Sequence, residues 1–242
     1  MSFFDAFLFV ALPYMAVAVF LAVFIRRYVK RGFQVSSLSS QFLEGKRLFW
    51  GSVPFHVGIL VVFLGHLLAF LIPSSILLWN GSPVRLLALE ITGFAFALSF
   101  LIGLSLLFYR RISNARIRAV TSGMDILIEV LLLVQVVLGL WIALFDRWGS
   151  NWFAADLSPY LWSLLSFRPD PEAVLAMPTS VQLHIINAFL ILLLLPFTRL
   201  VHLLVAPFHY IGRPYQRVIW NWDRKKIRNP NTRWSPTRPK NT

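Results

Sequence analysis

Apolar residues occur in five long runs along the chain, and short polar stretches separate these runs. The runs extend over Phe3 to Ile25, Ser52 to Ile72, Leu87 to Phe108, Met124 to Phe145 and Val181 to Ala206. Each is close to the ~20 apolar residues that an α-helix needs to cross a bilayer. A shorter run rich in Trp and Leu, Pro159 to Phe167, predicts a helix at the membrane interface. The pattern therefore predicts an all-α membrane protein with five transmembrane helices.

Composition narrows the chemistry that such a protein can carry. Of the 242 residues, 57% are hydrophobic and 14% are charged, which lies outside the usual range of soluble domains. The chain has no cysteine, which excludes disulfides, thiolate-held iron–sulfur clusters and cysteine-linked haem. We expect one transmembrane domain at residues 1–206 and a basic tail at 207–242. Soluble chemistry must then come from partner subunits.

Positive charge is distributed unevenly among the loops, and this predicts the orientation in the membrane. The loops after the first and third runs contain Arg26, Arg27, Lys30, Arg31, Lys46, Arg47, Arg110, Arg111, Arg116 and Arg118. The tail is also basic, whereas the loop after the second run has only Arg85. Basic loops stay in the cytoplasm, so we predict the amino terminus outside and the carboxyl terminus inside. The basic segments predict docking of a soluble subunit or contact with membrane lipids, and nucleic acid is not an expected partner.

Four of the five histidines lie on two of the predicted helices. His184 and His202 are eighteen residues apart on the fifth run, and one continuous helix would place both imidazoles on one side, ~27 Å apart. His56 and His66 are ten residues apart on the second run, or ~15 Å along a helix. Ionisable groups inside a membrane mark functional sites, and neutral imidazole is a good iron ligand. The fifth histidine, His209, is predicted at the surface.

The predicted topology decides how these histidines pair. The second helix runs outward and the fifth runs inward, so His66 is level with His184, and His56 is level with His202. This arrangement is typical of bis-histidine haems held between antiparallel helices, and it predicts a bundle with two haems. Because separations of ~15 and ~27 Å do not match, at least one haem must be ligated obliquely or the helices must tilt, and Pro196 offers a bend.

Several motifs extend over most of the chain. They are LPYMAVAVFL with RRY, SSQFL, FHVGILVVFLGH, ARIRAVTSGMDILI and LHIINAFLILLLLPFTRLVH. With these motifs and histidine spacings, the chain closely resembles the gamma subunit, a cytochrome b, of membrane-bound respiratory nitrate reductase. The resemblance implies two haems b, a distal one on His66 and His184 and a proximal one on His56 and His202.

The same resemblance implies a place in an electron-transfer complex. It implies quinol oxidation at the distal haem near the outer face of a prokaryotic cytoplasmic (inner) membrane. Electrons would pass inward to an iron–sulfur subunit and then to a molybdenum catalytic subunit. The chain would thus be a quinol-oxidising electron-transfer subunit and not the nitrate-reducing subunit itself.

Further residues are assigned to the haem propionates. The resemblance suggests Tyr28 and Arg111, at the cytoplasmic ends of the first and third helices. Arg199 precedes His202 by three residues, so it lies on the same helix face and can reach a propionate of the proximal haem.

The quinol site is expected beside the distal haem. Gly65 leaves room for a flat ring next to His66, although glycine also serves close helix packing. Arg85, in the weakly charged outer loop, is the cation expected to orient a quinol oxygen or a haem carboxylate. The family carries lysine at this position, and arginine is a fixed fork rather than a movable ammonium group.

Two other interpretations stay open on the sequence alone. The chain fits the cytochrome b of another quinone-linked complex, serving sulfur-compound or heterodisulfide chemistry. It also fits a proton-coupled transporter that uses the intramembrane histidines as proton sites.

The remaining polar residues within the runs have simpler expected roles. We expect Gln135 and Asn187 to form interhelical hydrogen bonds. Glu90 and Asp125 are expected to be capping or interfacial groups, and Glu129 has no predicted role.

Overall fold

The described part of the chain contains five helices that are long and apolar enough to cross a membrane. This computed structural model describes residues 2–31, 40, 43 and 45–205. The helices, named spans 1 to 5, are Phe3–Lys30, Arg47–Leu71, Pro83–Ser113, Gly123–Phe145 and Thr179–Phe197. No strand occurs among the described residues. The predicted all-α architecture with five apolar helices is confirmed, whereas the basic tail 207–242 and His209 lie outside the described residues.

Short helices connect the spans, mainly at the predicted outer end. Pro73–Asn80 lies between spans 2 and 3, and Ala115–Ala119 lies between spans 3 and 4. The connection between spans 4 and 5 holds Gly149–Trp152, Phe153–Leu157, Ser158–Leu165 and Glu172–Leu175. The helix predicted at Pro159 to Phe167 is therefore present with slightly earlier bounds.

Spans 2 and 3 cross at glycines, where their backbones approach closely. A Cβ atom on Gly58 would lie 2.5 Å from the backbone nitrogen of Phe100. A Cβ atom on Gly103 would overlap the backbone of Phe55. Small residues allow such contact in membranes, where helices gain no hydrophobic drive to associate. The crossing fixes span 2, and hence the helix that carries His56 and His66, against span 3.

The helices that carry the histidines do not pack chiefly against each other. Span 2 packs mainly on span 3, while span 5 packs mainly on spans 1 and 4. One buried cluster joins spans 2, 3 and 4 through Phe55, Phe100, Leu104, Leu132, Val136 and Leu140. A second joins spans 1 and 5 to the connection between spans 4 and 5, and includes Phe9, Tyr160, Val174 and Val181. Spans 2 and 5 are thereby held in position by different neighbours.

The fifth apolar run is not one helix, so the prediction of a continuous helix through His184 and His202 is wrong. The α-helix Thr179–Leu194 ends before Pro196, and the 3₁₀ turn Leu195–Phe197 follows. Thr198 is extended (φ −105°, ψ 177°), and a second 3₁₀ stretch covers Arg199–Val205. Proline lacks the N–H that would continue the ladder and clashes with the preceding turn. His202 therefore lies on a segment of its own, named here the His202 segment (199–205).

The connection between spans 4 and 5 is tied onto spans 1 and 2. The Tyr160 hydroxyl donates to the Phe9 carbonyl at 2.8 Å, and Tyr14 donates to the Leu164 carbonyl at 2.9 Å. Burial raises the pKa of Tyr160, so its hydroxyl remains a donor. The Ser158 hydroxyl donates to the Ala69 carbonyl of span 2 at 2.9 Å. These bonds hold the connection over the end of span 2 that carries His66.

Candidate functional site

His56 and His202 lie close together although they are 146 positions apart in the sequence. Their ring centroids are 6.4 Å apart, and the ring planes are inclined at 57°. Two imidazoles that each bind a shared metal ion at about 2 Å have ring centres roughly 6 Å apart. The separation of His56 and His202 therefore fits two ligands of one metal ion.

Backbone carbonyls fix the tautomer of three of the four intramembrane histidines. The Nδ1 atoms of His56, His66 and His202 lie 2.8, 2.8 and 2.7 Å from the carbonyl oxygens of Ser52, Val62 and Arg199 respectively. A carbonyl oxygen only accepts, so each Nδ1 carries the proton and donates it. Each Nε2 then keeps a lone pair, which is the form that a metal requires.

His184 is held by a chain of amides. Asn187 Nδ2 donates to the Leu131 carbonyl at 3.0 Å and to Gln135 Oε1 at 2.6 Å. Since Gln135 Oε1 accepts, its Nε2 atom faces His184 Nε2, at 3.1 Å. The other ring nitrogen, Nδ1, is buried and has no hydrogen-bond partner in the described structure. The interhelical hydrogen bonds predicted for Gln135 and Asn187 are thus present, and they orient a histidine.

His184 and His66 occupy the predicted outer half of the bundle. His66 meets Phe153 edge-on, with ring centroids 5.2 Å apart. A Cβ atom on Gly139 would lie 3.2 Å from His184 Cε1, whereas one on Gly65 would meet nothing within 4 Å. Gly139 therefore seats the His184 ring, whereas Gly65 lies on an exposed face of span 2.

A pair of carboxylates binds two of the predicted propionate ligands. Arg111 Nε donates to Glu129 Oε1 at 2.7 Å, and its Nη1 is 3.7 Å from Asp125 Oδ2. Arg199 Nε is 3.0 Å from Asp125 Oδ1. Asp125 and Glu129 are both buried, and Glu129 Oε2 has no hydrogen-bond partner in the described structure. The two arginines thus meet at the start of span 4.

Sequence reasoning missed this ion-pair network, although it carried a signal. Asp125 and Glu129 are one helical turn apart, on one face of span 4. Carboxylates within a membrane helix are costly to bury and usually pair with cationic side chains. Asp125 does form the expected cap, a capping box with Ser122, and it also pairs with arginine.

The remaining predicted residues lie apart from these groups. Tyr28 is 58% exposed, and its ring contacts Phe24. Arg85 Nε donates to the Trp79 carbonyl at 2.8 Å and Nη2 to the Leu78 carbonyl at 3.3 Å, so it caps the helix Pro73–Asn80.

Glu90 fulfils an interfacial role of the kind expected for it. Its Oε1 atom accepts from the backbone nitrogen and the hydroxyl of Ser150, at 2.9 and 2.7 Å.

Among the described residues, no group of three or more His, Asp or Glu is arranged to hold a bare metal ion.

Five apolar helices, with a histidine of span 2 brought close to one of the His202 segment, define an integral membrane protein of the helical-bundle class. A sequence profile of the nitrate reductase gamma subunit matches residues 5–221. The chain belongs to the nitrate reductase gamma subunit family and is a membrane subunit of a nitrate reductase complex.

Three characterised relatives agree with this family. The chain is 34% identical over 223 residues to respiratory nitrate reductase 1 gamma chain of Escherichia coli, covering 90% of this chain and 98% of the relative. It is 34% identical to respiratory nitrate reductase 2 gamma chain of the same organism, covering 85% and 92%. It is 33% identical to nitrate reductase gamma chain of Bacillus subtilis, covering 84% and 93%. Family membership confirms the resemblance and favours the nitrate reductase complex over the other interpretations of the sequence.

Proposed function

We propose that this chain is a di-haem cytochrome b subunit that accepts electrons from quinol and passes them toward the soluble subunits of a nitrate reductase. The observation that carries the proposal is the pair His56 and His202. Their centroid separation of 6.4 Å suits two ligands of one metal ion, and their Nδ1 protons are donated to backbone carbonyls. Bound haem supplies reversible one-electron transfer.

The two histidine pairs are assigned to two haem sites with separate roles, and in the second pair the Nε2 lone pair of His184 would have to turn from the Gln135 amide to the metal ion. His56 and His202 would hold the proximal haem, above the basic end of the bundle. His66 and His184 would hold the distal haem, beneath the connection between spans 4 and 5. Spans 2 and 5 pack mainly on other helices, which is compatible with planar ligands between them.

The residues assigned to the propionates keep that role as part of the proposal. Arg111 and Arg199 are the strongest of them, because both guanidinium groups lie at the same end of the bundle as His202. Their carboxylate partners would hold the two guanidinium groups in place near the propionates. Tyr28, exposed at the end of span 1, is the third.

Quinol is proposed to bind at the predicted outer end, beside His66. Gly65 keeps its proposed place in this site, on a face of span 2 that is exposed in this structure. Arg85 would supply the positive charge that orients a quinol oxygen. Protons released there would leave outward while electrons move inward, so turnover would build a membrane potential. Each electron carried against 100 mV costs about 2.3 kcal/mol.

The basic face is the proposed docking surface for an iron–sulfur subunit, which would deliver electrons to a molybdenum catalytic subunit. We assign the tail 207–242 to this surface on its charge alone, since it holds nine Lys or Arg and one Asp after Pro207. The proposed location is the prokaryotic cytoplasmic membrane, with the amino terminus outside.

A reduced-minus-oxidised optical spectrum of the complex in native membranes tests the proposal. We expect b-type bands when a quinol analogue is added, and their reoxidation when nitrate follows. A chain without b-type bands in the assembled complex would contradict the proposal, and the transporter interpretation would then regain its place. If dithionite reduces the b-type haems but quinol does not, the chain binds haem and the proposed quinol role is wrong.

A further inference from the structure

Asp125 is linked to the proposed haem ligand His202 through a single residue. Arg199 Nε donates to Asp125 Oδ1 at 3.0 Å, and Nη2 donates to the Val120 carbonyl at 2.6 Å. The main-chain carbonyl of Arg199 accepts the Nδ1 hydrogen of His202 at 2.7 Å. Arg199 thus joins a buried carboxylate of span 4 to the imidazole of the His202 segment.

The His202 segment needs such an anchor because it is only a short 3₁₀ stretch and is not continuous with span 5. Within an α-helix, the continuous ladder of hydrogen bonds would fix the direction of the side chain. Here the ladder stops at Leu194, and the extended Thr198 separates the segment from span 5. Upstream of the segment, Arg27 Nη1 donates to the carbonyls of Pro196 and Thr198, at 2.8 and 3.1 Å. On the segment itself, the side chain of Arg199 makes the connection to span 4.

Asp125 is itself held rigidly. Its Oδ2 atom accepts from the Ser122 backbone nitrogen at 2.9 Å, and the Ser122 hydroxyl accepts from the Asp125 nitrogen at 3.2 Å. This capping box leaves Oδ1 facing Arg199, and the residue is only 4% exposed. Removing one member of a buried ion pair leaves the other charge uncompensated. Arg199 could then not keep its present position without cost.

We propose that Asp125 is a positioning residue for His202: it fixes Arg199, and the carbonyl of Arg199 fixes the tautomer and direction of the imidazole. The inference rests on the proposed function, because it assigns a role in holding the proximal haem. It adds to the propionate role of Arg199: that role concerns the carboxylates of the haem, whereas this inference concerns the imidazole of His202.

The test uses the full complex in membranes and measures haem content and midpoint potentials, not nitrate reduction alone. In Asp125→Asn we expect the proximal haem to be retained about 10- to 100-fold less well, as is usual when a partner of a metal ligand is removed. Its midpoint potential and low-spin electron paramagnetic resonance signal should shift, while the distal haem keeps both. An unchanged distal haem would show that the helix bundle has folded in the variant.

A double-mutant cycle is the second part of the test, and it asks whether Asp125 acts through Arg199. If Asp125 acts through Arg199, the double variant Asp125→Asn/Arg199→Gln should be no worse than the more impaired single variant. Additive losses would show that the two act independently and would overturn the proposal. An unchanged proximal haem in Asp125→Asn, or equal loss of both haems, would overturn it as well.

Asp5→Asn is the matched control. Asp5 closes the same type of capping box, with Ser2 at the start of span 1. We expect it to leave both haems unchanged, and a proximal loss equal to that of Asp125→Asn would refute a specific role. Wild-type complex without b-type bands would instead refute the proposed function, so the two failures are distinguishable.

Discussion

Gly139 and His184 face each other across spans 4 and 5 so closely that a Cβ atom on the glycine would lie 3.2 Å from the imidazole Cε1. The ring therefore has a fixed seat, with Gln135 at 3.1 Å from its Nε2 atom. Any side chain larger than hydrogen at position 139 must displace either the ring or a helix.

This contact gives the first prediction. Gly139→Val should move the His184 ring and shift or weaken the distal haem, at a cost of about 1–3 kcal/mol for overpacking. Redox titration of the two b-type signals checks it, and only the distal one should change. Gly123→Val, on the same helix where a Cβ meets nothing within 4 Å, is the control. Equal effects from both variants would argue that His184 has no special seat.

The second prediction concerns the crossing of spans 2 and 3. Gly103→Leu would drive a side chain into the backbone of Phe55, so the helices must separate. We expect a loss of about 1–3 kcal/mol or more in stability, seen as a lower unfolding temperature in detergent, and weaker binding of both haems. Gly93→Leu on the same helix has open space and should be tolerated. A normal unfolding temperature for Gly103→Leu would contradict the close crossing.

Arg85 gives the third prediction, because its observed hydrogen bonds suggest a competing role. If its charge orients quinol, Arg85→Ala should slow quinol-dependent haem reduction about tenfold or more, the usual worth of a hydrogen bond to a charged group, and both haems should remain. Arg85→Lys should keep much of the rate, although lysine cannot reproduce both bonds to the Leu78 and Trp79 carbonyls. If the two variants are equally slow, helix capping explains the residue and the quinol role fails.

Hydrophobic runs located the five helices because membrane burial imposes a length and a composition on each one. Predicted bounds such as Met124 to Phe145 agree closely with the observed Gly123–Phe145. Length and composition could not predict that the helix of the fifth run ends at Leu194. Pro196 predicts a disturbance, but whether the helix bends or ends depends on partners for the freed carbonyls, and Arg27 supplies them from span 1.

The candidate site was also predictable only in part, because the partners of its side chains come from other elements of the fold. Helical periodicity and topology could place His56 level with His202, but they could not say which groups fix the rings. Those are tertiary partners such as Gln135, or carbonyls within the same helix such as Ser52. Likewise, the roles of Asp125 and Glu129 depend on arginines from two other elements, and no local pattern specifies these.

Assignment of each haem to its histidines tests the central claim most directly. Four single variants, His56→Ala, His66→Ala, His184→Ala and His202→Ala, would each be titrated potentiometrically in membranes with the partner subunits present. The account predicts that His56→Ala and His202→Ala abolish one and the same b-type signal, and that His66→Ala and His184→Ala abolish the other. Loss of one shared signal from His66→Ala and His202→Ala, or four variants that all keep both signals, would contradict it.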